Sequence, residues 1–172
     1  MKTLVIGGAG CGKSELAEAL CLAYGGQCTY LATMQGNGSE ARQRITRHRA
    51  LRAGKGFDTL ERPRDLASGR LPGGTVLLEC LGNLVANELF APGRDVREAR
   101  KKIESGLRAV EATSRHIVVV TNDVFCDGVA YSAETQDYIQ LLGQCNARLA
   151  DRFDQVVEVV CGIPIWHKGE EE

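Results

Sequence analysis

The stretch Ile6-Gly7-Gly8-Ala9-Gly10-Cys11-Gly12-Lys13-Ser14 carries the plainest chemistry in the chain. Gly7, Gly12, Lys13 and Ser14 fit the spacing G-x-x-x-x-G-K-[ST], with an apolar run before them and a helical pattern after. Glycines let the backbone curl so that successive N–H groups point inward at phosphate oxygens. A helix N-terminus adds about half a positive charge. In such a loop Lys13 bridges the β- and γ-phosphates and Ser14 ligates Mg²⁺. Gly8, Ala9, Gly10 and Cys11 supply the backbone between the end positions. Cys11 also fits as a small residue, because a reactive thiol needs exposure and a lowered pKa.

The loop leaves the reaction open. A switch-type GTPase normally carries N-K-x-D, and the nearest string, Thr121-Asn122-Asp123-Val124, lacks the lysine. A carboxylate is expected at the end of a neighbouring strand, near the metal. Glu79, closing the run Val76-Leu77-Leu78, takes that place and is the second expected metal ligand.

A second chemical feature lies at 41–52, ARQRITRHRALR. On the helix predicted there, Arg44, His48 and Arg52 are spaced i, i+4, i+8 and share one side, with Arg47 and Arg49 adjacent in sequence. Neighbouring cations disfavour the imidazolium. A neutral imidazole is a nucleophile, and guanidinium groups bind phosphate oxygens in bidentate fashion. Attack on phosphorus to give a phosphoramidate is one reading. A basic, solvated helix that happens to carry a histidine is the other. RNA binding fits less well, since stacking aromatics are absent nearby. His116 and His167 read as structural or solvated.

The elements that must position these groups follow from periodicity. Short β-branched runs at 3–7, 28–33, 75–80, 116–121 and 155–160 alternate with helical patterns at 13–24, 39–53, 82–91, 95–113 and 132–152. Asp95 is a plausible cap. This alternation predicts an α/β fold, a mainly parallel sheet flanked by helices. Residues 54–74 break the pattern, being rich in Gly, Pro and Arg and poor in core residues, with room for one short strand at 57–61. The end of the chain, KGEEE, reads as frayed.

The 172 residues suit one domain, and 44% hydrophobic residues suffice for a core. A formal net charge of −1 argues against nucleic acid or an acidic membrane as partner. No apolar run approaches the ~20 residues of a membrane span, and the N-terminal run reads as a buried strand rather than an export signal. Seven cysteines, an odd number without a C-x-x-C pair, suggest reduced thiols in a cytoplasm.

Taken together, the sequence resembles the bifunctional adenosylcobinamide kinase / adenosylcobinamide-phosphate guanylyltransferase family of cobalamin biosynthesis. The strings that carry the resemblance run the length of the chain: GGAGCGKS (7–14), YLAT (30–33), RITRHR (44–49), LLEC (77–80), VTNDV (120–124), GQCN (143–146) and CGIPI (161–165). The resemblance implies a RecA-like P-loop fold and two reactions. In one, ATP or GTP phosphorylates the aminopropanol hydroxyl of the corrinoid. In the other, a histidine takes GMP from GTP and passes it to the new phosphate, giving adenosylcobinamide-GDP. By this resemblance His48 is that histidine. Nucleotide contacts are implied at Ala32, Thr33, Met34, Arg49, Ala50, Leu51, Arg52, Glu61 and Glu79, and a homo-oligomer, a trimer, is implied as well. The chain departs from the family pattern after Asn122: Asp123 replaces Glu, Phe125 replaces Gly, and no Arg occurs between 125 and 147. Two other readings fit the loop without the histidine chemistry. One is a P-loop kinase for another small alcohol; the other is a non-catalytic nucleotide-binding module.

Overall fold

The computed structural model describes residues 1–35, 46, 54–124 and 128–169. One sheet of seven strands organises the chain, in the order β3-β2-β4-β5-β1-β6-β7. Its members are β1 (Lys2–Gly7), β2 (Cys28–Ala32), β3 (Phe57–Glu61), β4 (Thr75–Leu78), β5 (His116–Val120), β6 (Gln155–Val160) and β7 (Ile163–Lys168). All pairs are parallel except the β6–β7 hairpin. Among the described residues, four helices connect the strands: α1 (Lys13–Tyr24), α2 (Leu81–Leu89), α3 (Val96–Thr113) and α4 (Ala133–Arg152).

Strand periodicity of two sorts the core into layers. Leu4, Val76, Leu78, Ile117 and Val119 face α2, α3 and α4, where they meet Leu81, Leu84, Ile103, Leu107, Leu142 and Leu149. Their neighbours Val5, Leu77, Val118, Val120, Val157 and Val159 face α1, where they meet Ala17 and Cys21. Strands apolar on both sides are what a sheet sandwiched between helices requires. Asp95 caps α3, its carboxylate accepting from the Glu98 N–H at 2.7 Å. The thiols of Cys11, Cys21, Cys28, Cys80, Cys145 and Cys161 are all free.

Two expectations need correction. The 54–74 excursion does contain the edge strand at 57–61, in parallel register with β2, but it is not poor in core contacts. Leu66 is fully buried, and a Cβ on Gly106 of α3 would meet its Cβ at 2.8 Å. The Arg62 guanidinium closes the segment by donating to the carbonyls of Leu66 (3.1 Å) and Arg70 (2.9 Å). The buried Glu88 carboxylate accepts from the Asp65 N–H at 2.6 Å and pairs with Arg94. The second correction concerns the C-terminus. Lys168, read as frayed, ends β7, which hydrogen-bonds along β6. Pro164 is tolerated there because β7 is an edge strand and one of its sides needs no ladder donor. The helix predicted at 39–53 falls outside the described residues, Thr46 apart.

Phe153 is buried at the turn between α4 and β6, in the α2–α4 layer. Phe153→Ala is expected to lower unfolding free energy by about 3–5 kcal/mol, measured by urea titration. A loss under about 1 kcal/mol would mean that this layer does not hold the sheet as described.

Candidate nucleotide site

β1 lies between β5 and β6, and it delivers the glycine loop at the carboxyl edge of the sheet, where ligands of parallel sheets bind. At Gly7 the loop has no room for a side chain: a Cβ would lie 2.6 Å from the Val159 carbonyl oxygen and 2.8 Å from the Cys11 Sγ. The Gly7 carbonyl accepts from the Asp123 N–H (3.0 Å), and the Cys11 carbonyl accepts from the Gly162 N–H (2.9 Å). The loop is therefore buttressed from both neighbouring strands. Gly12 then takes a left-handed conformation (φ +97°) as N-cap of α1, a conformation that side chains resist.

Lys13 is buried, and its ammonium bonds the Gly8 carbonyl and approaches the Cys11 Sγ at 3.7 Å. The charge is thus held inside the curl of the loop. Gly8, Ala9, Gly10 and Ser14 are exposed at its rim. Ser14 stands on the first turn of α1, next to Lys13.

A second group of residues sits at the same edge, on the far side of β5. The Ala32 carbonyl accepts from the Arg62 N–H at 2.9 Å, and Glu61, exposed, is in register with Ala32. The buried Thr33 hydroxyl donates to the Cys80 carbonyl at 2.8 Å, and the Asn87 carboxamide donates to the Thr33 carbonyl at 2.8 Å. Met34 follows, half-buried. The Glu79 N–H donates to the Leu31 carbonyl at 3.1 Å, so Glu79 leaves β4 beside the end of β2. The fold thus brings Ala32, Thr33, Glu61 and Glu79 to one edge, with β5 between them and the loop. His48, Arg49, Ala50, Leu51 and Arg52 lie outside the described residues.

Sequence reading missed the residues that knit this edge together, because their contacts are long-range and no local spacing marks them. Cys80 is the N-cap of α2, its Sγ accepting from the Asn83 N–H at 3.4 Å. Burial, above all, and the Glu79 charge push its thiol up; N–H donors at Asn83 and Gly82 and the Lys13 charge only partly offset this. The Thr121 hydroxyl at the end of β5 donates to the side-chain Oδ1 of the buried Asn146 at 2.8 Å. His116 bonds the N-terminal amine at 3.0 Å and stacks on Tyr24, and His167 bonds Glu158 at 2.9 Å. Both imidazoles are far along the chain from the loop and serve local structure.

A glycine loop between strand and helix, on a parallel sheet with one strand interposed before the acidic strand end, defines a P-loop nucleotide-binding fold. In agreement, the chain superposes on a prototypical ATPase from the type III secretion system of pathogenic bacteria. The TM-score is 0.50 at 12% identity, covering 91% of this chain and 51% of that one, a likeness of fold alone. Residues 3–166 match the family described as cobinamide kinase / cobinamide phosphate guanyltransferase, and the chain belongs to that family. Among its relatives is the bifunctional adenosylcobalamin biosynthesis protein CobP of Pseudomonas aeruginosa, 32% identical over 174 residues and 99% of each chain. Another is the bifunctional adenosylcobalamin biosynthesis protein CobU of Escherichia coli, 33% identical over 180 residues, 96% of this chain and 98% of that one.

The raised Cys80 thiol makes a chemical test of this edge, since the thiolate is the reactive form. Iodoacetamide at pH 8, followed by peptide mapping, should alkylate the exposed Cys161 and leave Cys80, Cys21, Cys28 and Cys145 largely unmodified. Alkylation of Cys80 at the rate of Cys161 would contradict its place as the half-buried, hydrogen-bonded cap of α2.

Proposed function

We propose that this chain carries out both reactions that its family's description names, and that one phosphate loop serves both. The family match over residues 3–166 carries the proposal, and the curled loop around Lys13 supports it. In the kinase reaction the loop and Lys13 hold the triphosphate of ATP or GTP. The hydroxyl oxygen of the corrinoid acceptor attacks the γ-phosphorus, the bond to the nucleoside diphosphate breaks, and the hydroxyl proton is released. In the transferase reaction an imidazole nitrogen of His48 attacks the α-phosphorus of GTP. A P–N bond forms and pyrophosphate leaves. An oxygen of the acceptor phosphate then attacks the same phosphorus, the P–N bond breaks, and the histidine is regenerated.

Ala32, Thr33, Met34, Glu61 and the segment Arg49–Arg52 are the proposed remaining nucleotide contacts. Among the described residues no cluster of three or more His, Cys, Asp or Glu side chains could hold a metal. Mg²⁺ is commonly bound by one or two protein oxygens together with substrate phosphates and water. Ser14 and Glu79 offer such hard oxygens, and the ion would supply neutralisation of phosphate charge. Of the described helices none is long and apolar enough to cross a membrane. A cytoplasmic homo-oligomer, a trimer, remains part of the proposal.

Transfer is measured with γ-labelled ATP or GTP and cobinamide, and with α-labelled GTP and cobinamide phosphate. Lys13→Ala is expected to lower both transfers at least 100-fold, because both depend on the same clamped triphosphate. Chelation with EDTA is expected to stop both. Absence of either transfer in folded wild-type protein would contradict the bifunctional reading. Loss of only one transfer in Lys13→Ala would contradict a shared loop.

A further inference from the structure

Three elements converge just past Glu79 on polar groups that the phosphate loop does not use. α2 begins there at Cys80, Asn122 follows the end of β5, and Tyr138 projects from α4. Their meeting point is Gly82, where a Cβ would lie 2.9 Å from the Tyr138 hydroxyl and 3.4 Å from the Asn122 Nδ2. The Asn122 Nδ2 also approaches the Cys80 Sγ at 3.9 Å. Cys80 directly follows Glu79, and Asn122 directly precedes Asp123, whose N–H donates to the Gly7 carbonyl at 3.0 Å, so the cluster borders both the strand-end carboxylate and the phosphate loop.

The Tyr138 ring packs against the core layer of α2–α4, which fixes the position of its hydroxyl. Among the described residues that hydroxyl makes no hydrogen bond, and Asn122 makes only the long contact to sulfur. Half-buried polar groups with unused capacity are costly to a core but are what an otherwise apolar recognition surface needs in order to orient a ligand. Burial pushes the Tyr138 phenol up, so it keeps its proton and remains a donor. Tyr138, Asn122 and Cys80 bring no positive charge, so the cluster suits an uncharged hydrogen-bonding group rather than a second anion.

We propose that Asn122 and Tyr138 bind the uncharged hydroxyl-bearing arm of the acceptor, presenting it to the terminal phosphate held by the loop. The inference rests on the kinase reading above. It concerns the acceptor alone: the pair sets acceptor affinity and leaves nucleotide affinity unchanged.

The test is steady-state phosphorylation of cobinamide by wild type, Tyr138→Phe and Asn122→Ala, with ATP affinity measured separately by calorimetry. Tyr138→Phe removes one oxygen and leaves the packed ring. Each variant is expected to raise the KM for cobinamide at least tenfold, with the ATP Kd within twofold of wild type. Gly82→Ala, which removes no polar group but crowds the hydroxyl, is expected to raise the same KM. A cobinamide KM within twofold of wild type in both Tyr138→Phe and Asn122→Ala would overturn the inference while leaving the kinase reading intact. So would an ATP Kd that rises in parallel with it. Wild-type protein that binds ATP but does not phosphorylate cobinamide would overturn the kinase reading itself, and the inference with it.

Discussion

The carbonyl of Val159 approaches Gly7 so closely that only a hydrogen fits where a side chain would be. The site depends on that approach. It lets β1 run against β6 to its last residue, so the chain must curl immediately afterwards rather than splay away. The curl is fixed from one side by the Gly162 N–H on the Cys11 carbonyl and from the other by the Asp123 N–H on the Gly7 carbonyl. What emerges is a ring of backbone around a buried lysine, opening onto the N-terminus of α1. In the proposed binding, a phosphate at this ring would meet the N-terminus of α1 and the Lys13 ammonium.

The strand order extends this constraint to the rest of the edge. With β5 interposed between β1 and β4, the strand-end carboxylate of Glu79 is set a strand apart from the loop instead of against it. The same spacing leaves room at the end of β5 for Thr121, Asn122 and Asp123. Thr121 is anchored below to Asn146, and Asp123 is bonded to the loop. Hydrogen bonds hold the edge on its far side too. Thr33, Cys80 and Asn87 tie β2 to the start of α2, and Asn87 also donates to the Pro63 carbonyl at 3.0 Å. Glu88, buried with Arg94 and the Asp65 N–H as partners, clasps the 54–74 excursion to α2 and to the turn that precedes α3. Breaking such a pair strands a charge in the core, which makes it a strong constraint on geometry whatever its net contribution to stability.

Much of this was legible beforehand, for identifiable reasons. Strands that are apolar on both faces announce themselves as β-branched runs, and α1 begins and ends where its helical pattern does, at Lys13 and Tyr24. The loop was legible because its chemistry is local: the glycines, the lysine and the serine are neighbours in sequence. β7 was not, because an edge strand alternating between half-burial and exposure, with Pro164 inside it, shows no apolar run. Leu66 was hidden by the polar composition around it. Cys80, Asn122 and Tyr138 were invisible as a group, since 58 residues of spacing say nothing about proximity until α4 folds back over the sheet.

The chain's family is that of cobinamide kinase / cobinamide phosphate guanyltransferase, and its fold and loop are those of a P-loop nucleotide-binding protein. In the proposed mechanism, what sets the guanylyl transfer apart from an ordinary kinase reaction is a covalent stop on the protein, at His48. The most direct measurement is the intact mass of the protein after incubation with GTP and Mg²⁺. The account predicts a gain of one guanylyl group, lost in acid and absent from His48→Ala. An unchanged mass in wild-type protein shown to have GTP bound would contradict it.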